Sequence, residues 1–267
     1  MPRTTALDPL FTAVNTAAFT DRHLANLAAG TLAAVRVPDF LDRRTCAGAL
    51  AALGRLPTAD YAPARVPTPI VRFGPALNDY RDQDGRLDAD RYWCDAEAAR
   101  AAWHRAGMRP DPVAVSLARL GSAWGAAVTP ATIGGRAVFG GTLREINAGA
   151  LVHYDDLNRE FPTGLFDQET VAQLAFNVWV AVPVTGGATT VWRHRWEPAD
   201  ERHRQAYGYR PETVEHCQRV SLRPEHGDGL LFNPANFHAV EPCPGQRRIA
   251  FAFFLALTTT GQLIAWS

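Results

Sequence analysis

Leu151-Val152-His153-Tyr154-Asp155-Asp156 is the stretch on which the reading of this chain turns. His153 and Asp155 stand two residues apart, and on a β-strand the side chains of residues i and i+2 leave the same face. An imidazole and a carboxylate are thereby aimed at one point inside a sheet, while Asp156 points to the opposite face. Farther along, Asn236-Phe237-His238 offers a second imidazole from a strand edge. Two histidines and one carboxylate fill one face of an octahedral metal and leave the other face open, an arrangement that suits iron(II) with a cosubstrate and oxygen in the vacant positions.

An H-x-D pair alone arises often by chance, and a single histidine is more often a surface or core residue than a ligand. Three neighbouring features raise the weight of this one. Gly227-Asp228-Gly229-Leu230-Leu231-Phe232 reads as a turn leading into an apolar strand, which we expect to carry His238 to the site. Arg248 follows His238 by ten residues. The strand Arg248-Ile249-Ala250-Phe251-Ala252-Phe253-Phe254-Leu255 then places Arg248, Ala250 and Ala252 on one face and Ile249, Phe251 and Phe253 on the other. Small residues beside one guanidinium leave room for an anion, and the planar fork matches a carboxylate with two parallel hydrogen bonds.

Outward from these segments, residues 130–267 break into short apolar runs separated by Gly, Pro and Asp: 137–146, 150–154, 174–182, 189–192, 230–232 and 249–257. Strands at this spacing predict an antiparallel sandwich or barrel, interrupted by a polar, Arg-rich insertion at 193–220. The first 125 residues read mainly as helix. Leu10, Phe11, Val14, Ala17 and Ala18 recur at helical spacing within 1–30, Asp42 is placed to cap a helix running to Leu56, and 96–106 and 112–124 look helical. Between them, 57–90 reads as loop with one strand near 70–73. The expected fold is α+β and mainly β: a jelly-roll core of the double-stranded β-helix type with N-terminal helices packed on it, one domain over 1–267.

Composition narrows the function further. With 27 basic and 27 acidic residues the formal charge is zero, so the basic footprint that nucleic acid or an anionic membrane requires is missing. Every basic residue is Arg, which rules out lysine Schiff-base chemistry. Cys46, Cys94, Cys217 and Cys243 are scattered, without the C-x-x-C pairs of a zinc site or a disulfide framework. No signal peptide and no apolar run of membrane-spanning length is apparent, and the cytoplasm is the expected compartment.

The pattern His153-x-Asp155, His238, Arg248 resembles the iron(II)/2-oxoglutarate-dependent dioxygenase superfamily. Its flanks are similar as well: Val35-Arg36-Val37-Pro38-Asp39-Phe40-Leu41-Asp42 as the opening strand and helix, Leu143-Arg144-Glu145-Ile146 before the metal motif, and Gly186-Gly187 before Thr189-Thr190-Val191. The likeness spans about 31–257 and is nearest to small bacterial enzymes acting on free amino acids, among them lysine hydroxylases and lysine halogenases. It implies that His153, Asp155 and His238 hold iron(II), and that 2-oxoglutarate chelates the metal while its far carboxylate pairs with Arg248. Oxygen is then consumed with release of succinate and carbon dioxide, and the substrate is a small molecule, an amino acid or a derivative of one. In the halogenases of that group a Gly or Ala stands at the carboxylate position; Asp155 therefore implies hydroxylation.

Arg247 competes for the anion role, but alternation admits only one of the pair and the spacing favours Arg248. Asn177 on the 174–182 strand either bonds the cosubstrate or satisfies nearby backbone. Arg144 either binds the cosubstrate or a substrate carboxylate, or is a solvated strand residue. Trp192 and Arg193, just past a hairpin turn, are candidates for lining the substrate entrance. Three further readings stay open: desaturation, epoxidation or ring closure on the same scaffold, a cupin that does not use 2-oxoglutarate, and a jelly-roll binding protein without catalysis. A zinc hydrolase is disfavoured, because no H-E-x-x-H helix is present.

Overall fold

The computed structural model describes residues 11–61, 65–82 and 84–267. Strand β1 (Ala13–Asn15) precedes α1 (Asp21–Ala28), β2 (Ala34–Val37) and α2 (Arg43–Leu53). Next come β3 (Thr58–Asp60), β4 (Val71–Phe73), α3 (Ala89–Ala106) and α4 (Pro112–Trp124). Three two-residue strands, β5 (Thr129–Pro130), β6 (Thr132–Ile133) and β7 (Arg136–Ala137), lead to β8 (Thr142–Glu145), β9 (Ala150–His153) and α5 (Leu157–Glu160). Then follow β10 (Thr170–Ala181), β11 (Thr189–Arg195) and the hairpin of β12 (Arg204–Gln205) and β13 (Gly208–Tyr209). The last strands are β14 (Arg219–Leu222), β15 (Gly229–Phe232), β16 (Asn236–Val240), β17 (Ile249–Thr258) and β18 (Leu263–Trp266).

Two sheets take up most of these strands. The larger runs β1-β2-β15-β10-β17-β8-β4-β3, with β18 continuing along β17; the smaller runs β12-β13-β9-β16-β11-β14. From β8 to β17 the chain keeps changing sheet: β8, β10, β15 and β17 lie in the larger, and β9, β11, β14 and β16 in the smaller. Period-two patterning decides what each face touches. On β10, Leu174, Phe176, Val178 and Val180 join the large core shared with the helices, while Ala175 and Trp179 face the other sheet with Val191, Leu222 and Ala250. Strand β17 divides in the same way, as expected: Ile249, Phe251 and Phe253 pack toward the helices, and Ala250 faces the sheet opposite.

The helices start and stop where local chemistry directs. Asp42 caps α2 by accepting from the Thr45 amide at 2.7 Å, and Asp111 caps α4 by accepting from the Val113 amide at 2.9 Å. Pro112 fills the first turn of α4, and Gly125 closes it at φ 84°. Helix α3 begins at Ala89, earlier than the expected 96, because Asp88 caps it. The helix expected across 1–30 is corrected. Leu10 lies outside the described residues, only Asp21–Ala28 is helical, and Ala13–Asn15 pairs parallel with β2. Nor is the N-terminal part only a helical layer, since β1 to β4 all belong to the larger sheet. No helix among the described residues is long and apolar enough to cross a membrane.

Candidate metal centre

Strands β9 and β16 are antiparallel neighbours, with His153 directly opposite His238 and their ring centroids 4.1 Å apart. The next recorded pair is Val240 with Ala150, so three steps along β9 match two along β16. Such a bulge re-aims side chains, and here it lets both Ala150 and His153 face one cavity between the sheets. Asp155 sits just beyond β9, where its amide donates to the Pro234 carbonyl at 2.9 Å. Its Oδ2 lies 3.4 Å from His238 Nε2 and 4.0 Å from His153 Nε2. One ligand atom from each of the three residues falls within 4.8 Å of the others.

The proton positions follow from the hydrogen bonds. His153 Nδ1 is 2.7 Å from the Leu151 carbonyl, and His238 Nδ1 is 3.0 Å from the Asn236 carbonyl. A carbonyl only accepts, so each Nδ1 carries the hydrogen and each Nε2 keeps its lone pair on the side of Asp155. Burial, then the charge of His238, pushes His153 down to about 4. Burial alone would raise Asp155, but a hydrogen bond from the His238 ring and the charge of His153, each present once the ring takes up a second proton, outweigh it and hold the carboxyl at about 2. Neutral imidazole and ionised carboxylate are the forms that bind a metal. Two nitrogens and one oxygen converging from one side fit iron(II).

Deeper between the sheets, Arg248 is 3% exposed. Its Nε donates to the Gly187 carbonyl at 2.8 Å and its Nη2 to Thr189 Oγ1 at 3.0 Å. No carboxylate pairs with it among the described residues, and burial drags its pKa to about 10. A buried charge without a counter-ion is costly, and this one lines the same cavity as the metal ligands. Arg247 faces out and grips both carboxylate oxygens of Glu145, at 2.9 and 2.7 Å. Asn177 also lines the cavity, on the face of β10 that it shares with Ala175. Arg144 does too, with its Nε donating to Thr142 Oγ1 at 3.2 Å.

Two expectations are corrected. Trp192 does not line this cavity. It is buried in a separate cluster with Val152, Tyr209, Val214 and Phe237, on the opposite face of the smaller sheet. Arg193 is exposed and bonds Gln218 at 3.3 Å. The cause is the phase of β11: Thr189 and Val191 turn inward, which sends Trp192 outward. Likewise, Gly229–Phe232 does not carry His238. It belongs to the larger sheet, and the turn at 233–235 crosses to the smaller one, held by Asn233 Oδ1 accepting from the Ala235 amide at 3.0 Å. Asp156, which the strand phase excluded as a ligand, caps α5 by accepting from the Asn158 and Arg159 amides.

Sequence reasoning did not find Tyr207, Gln173 or Glu160, which also line the cavity. The Tyr207 hydroxyl accepts from the Leu151 amide at 2.8 Å, and its ring meets that of His153 edge-on at 5.7 Å. Gln173 Oε1 accepts from the Leu157 amide at 2.9 Å. Strand phase was a usable signal for Gln173, which alternates with Ala175 and Asn177. Tyr207 and Glu160 are placed by a hairpin and a single helical turn, and they carried none.

With this geometry in place, comparison with known proteins is specific. The family model of the carrier-protein-independent halogenase WelO5 matches residues 135–267. Over 268 residues, spanning all of both chains, the sequence is 54% identical to the L-gamma-glutamyl-L-propargylglycine hydroxylase of Streptantibioticus cattleyicolor. The fold resembles the crystal structure of an N-substituted L-amino acid dioxygenase from Burkholderia ambifaria AMMD, with TM-score 0.62, 18% identity, and 93% of this chain and 92% of that one covered. The α-ketoglutarate complex of that dioxygenase superposes with TM-score 0.53 at 18% identity, over 84% of this chain and 91% of that one. At such identities the likeness speaks for the fold alone. The full-length relative, the matched family and the His153, Asp155 and His238 centre converge: this chain belongs to the iron(II)/2-oxoglutarate-dependent oxygenases and is a hydroxylase among them.

Proposed function

We propose that the enzyme hydroxylates an unactivated C–H bond of an amino acid, presented as a γ-glutamyl dipeptide or a close derivative. The observation that carries this reading is one cavity with a three-residue metal face on one wall and an uncompensated buried guanidinium, Arg248, on another. The 54% identical relative acts, by its name, on a γ-glutamyl-linked amino acid, which supports the substrate class. Bound here, iron(II) with 2-oxoglutarate and oxygen supplies decarboxylation to succinate and carbon dioxide and insertion of one oxygen atom into the C–H bond.

The chain's own residues do the rest. His153, Asp155 and His238 hold the metal, while Tyr207 braces the His153 ring. Arg248, aimed by the Gly187 carbonyl and Thr189, takes the far carboxylate of 2-oxoglutarate. The Asn177 amide donates to the cosubstrate beside it. Ala175, Phe232 and Phe254 on the cavity walls keep water out. The alternating course of β8 to β17 between the sheets supports a double-stranded β-helix, which we take with its N-terminal strands and helices as one oxygenase domain over 1–267. The test is succinate release with iron(II), 2-oxoglutarate and a panel of γ-glutamyl and free amino acids. A stimulated, stoichiometric release with one oxygen atom gained by the substrate is expected. Release that no member of the panel stimulates would overturn the reading.

A further inference from the structure

Two ionisable side chains on the cavity wall remain unmatched after metal and cosubstrate are assigned. Arg144 spends its Nε on Thr142, lies 5.9 Å over the Phe254 ring, and pairs with no carboxylate among the described residues. Its strand phase, opposite Ala250 on β17, turns it into the cavity. Glu160 ends α5 on another part of the wall, with its carboxylate bonded to no cation among the described residues. The nearest guanidiniums are committed elsewhere: Arg81 donates to the backbone carbonyl of Glu160 at 3.0 Å, and Arg65 pairs with Asp79 at 3.6 Å. Both unmatched groups stand within electrostatic reach of Asp155, so they flank the metal centre. Burial, and then the charge of Asp155, pushes the Glu160 carboxyl up to about 8, as befits an acid lacking a counter-charge.

We infer that Arg144 and Glu160 read two charged groups of the substrate, Arg144 taking its C-terminal carboxylate and Glu160 its free ammonium. This rests on the amino-acid reading above and makes it narrower: the substrate has an unblocked amine and an unblocked C-terminal acid, and these two groups fix which C–H bond faces the metal. A guanidinium fork left bare on a cavity wall is costly until a ligand supplies the opposite charge, and a carboxyl kept protonated there for want of a counter-charge ionises when an ammonium docks beside it. A γ-glutamyl dipeptide carries both groups, with its glutamyl α-carboxylate as a third charge; N-acylation removes the ammonium and C-terminal amidation removes the carboxylate assigned to Arg144.

The experiment compares a γ-glutamyl amino acid, its N-acetyl derivative and its C-terminal amide. Affinity is read by calorimetry on the anaerobic iron(II)- and 2-oxoglutarate-loaded enzyme, and turnover by succinate release. In the wild type each blocked analogue is expected to bind at least about thirtyfold more weakly, the loss that follows removal of one partner of a buried charge pair. Glu160→Gln is expected to bind the parent and the N-acetyl compound alike, and Arg144→Met the parent and the amide alike. KM for the dipeptide should rise far more than KM for 2-oxoglutarate in both variants. Equal wild-type affinity for all three compounds overturns the proposal without any variant, as does undiminished discrimination in a variant that still forms the visible iron–2-oxoglutarate band. Selective binding without oxidation would sink the hydroxylation reading and leave the charge assignment standing. Oxidation without selectivity would do the reverse, and no binding of any of the three overturns both.

Discussion

Asp155 decides what the metal centre can do. It supplies the only oxygen donor of the three-residue set, so Asp155→Gly is expected to abolish hydroxylation; full turnover by that variant would remove Asp155 from the metal shell. Arg248→Ala is expected to raise KM for 2-oxoglutarate by two orders of magnitude or so, on the scale of a lost charge-assisted pair. Arg247→Ala breaks only a surface pair with Glu145, worth about 0–1 kcal/mol, and should leave that KM nearly alone. His153 gives the metal-free protein a pH dependence. Unfolded, it takes up a proton near its ordinary 6.5; folded, it resists until about 4. The unfolded chain therefore binds the extra proton across that window, so stability falls as pH drops from 6.5 toward 4 and is retained above 6.5. Glu160, held up at about 8, contributes with the opposite sign, so the His153 part is read as a difference: between pH 6.5 and 4 the metal-free wild type should lose more stability than His153→Leu does. His153, Asp155, His238 and Arg248 were legible as candidates because an H-x-D pair at a strand end and an Arg beside alanines each aim side chains to one side, and the structure gathers all four around one cavity. Trp192 misled because an aromatic next to a turn does not disclose which face it takes.

Among the elements, β9 shows why patterning found the strand and missed its detail. Its four apolar and aromatic residues signal extension, yet the bulge opposite Val240 is set by pairing with β16 and leaves no local mark. The turn before β11 is tightly built. Gly187 holds φ 73°, and a Cβ there would come within 2.8 Å of Pro183 and 3.2 Å of the Arg248 side chain. Gly187→Ala is therefore expected to cost about 1 kcal/mol or more from backbone strain and to weaken 2-oxoglutarate binding by displacing Arg248. A variant that loses stability while keeping the wild-type KM for 2-oxoglutarate would separate the turn from the anion site. Helices α2 and α4 were readable to within a few residues, since Asp42, Asp111 and Gly125 announce their ends. Strands β1 and β3 were not: Ala13–Asn15 and Thr58–Asp60 are short and weak in β-formers, whereas the equally short Val71–Phe73 has Val and Phe at its ends and was read.

For the molecule as a whole, the two sheets enclose charges that metal and cosubstrate are there to match. Loading with iron(II) and 2-oxoglutarate, each at about a hundred times its dissociation constant, should stabilise the fold by about 5 kcal/mol, which for a chain of this size is roughly 10–20 °C in melting temperature. Chelation should return the curve to that of the metal-free form. An unchanged melting temperature would mean that the centre binds neither.

The pairing of His153 with His238 has a mechanical side. Where the bulge interrupts the ladder between β9 and β16, no continuous run of backbone bonds ties those strands together. An ion gripped by one residue from each acts as a rivet across that seam. Amide hydrogens along both strands should exchange with solvent slowly when the rivet is in place and much faster when it is withdrawn, while β10 and β17 in the neighbouring sheet keep their pace.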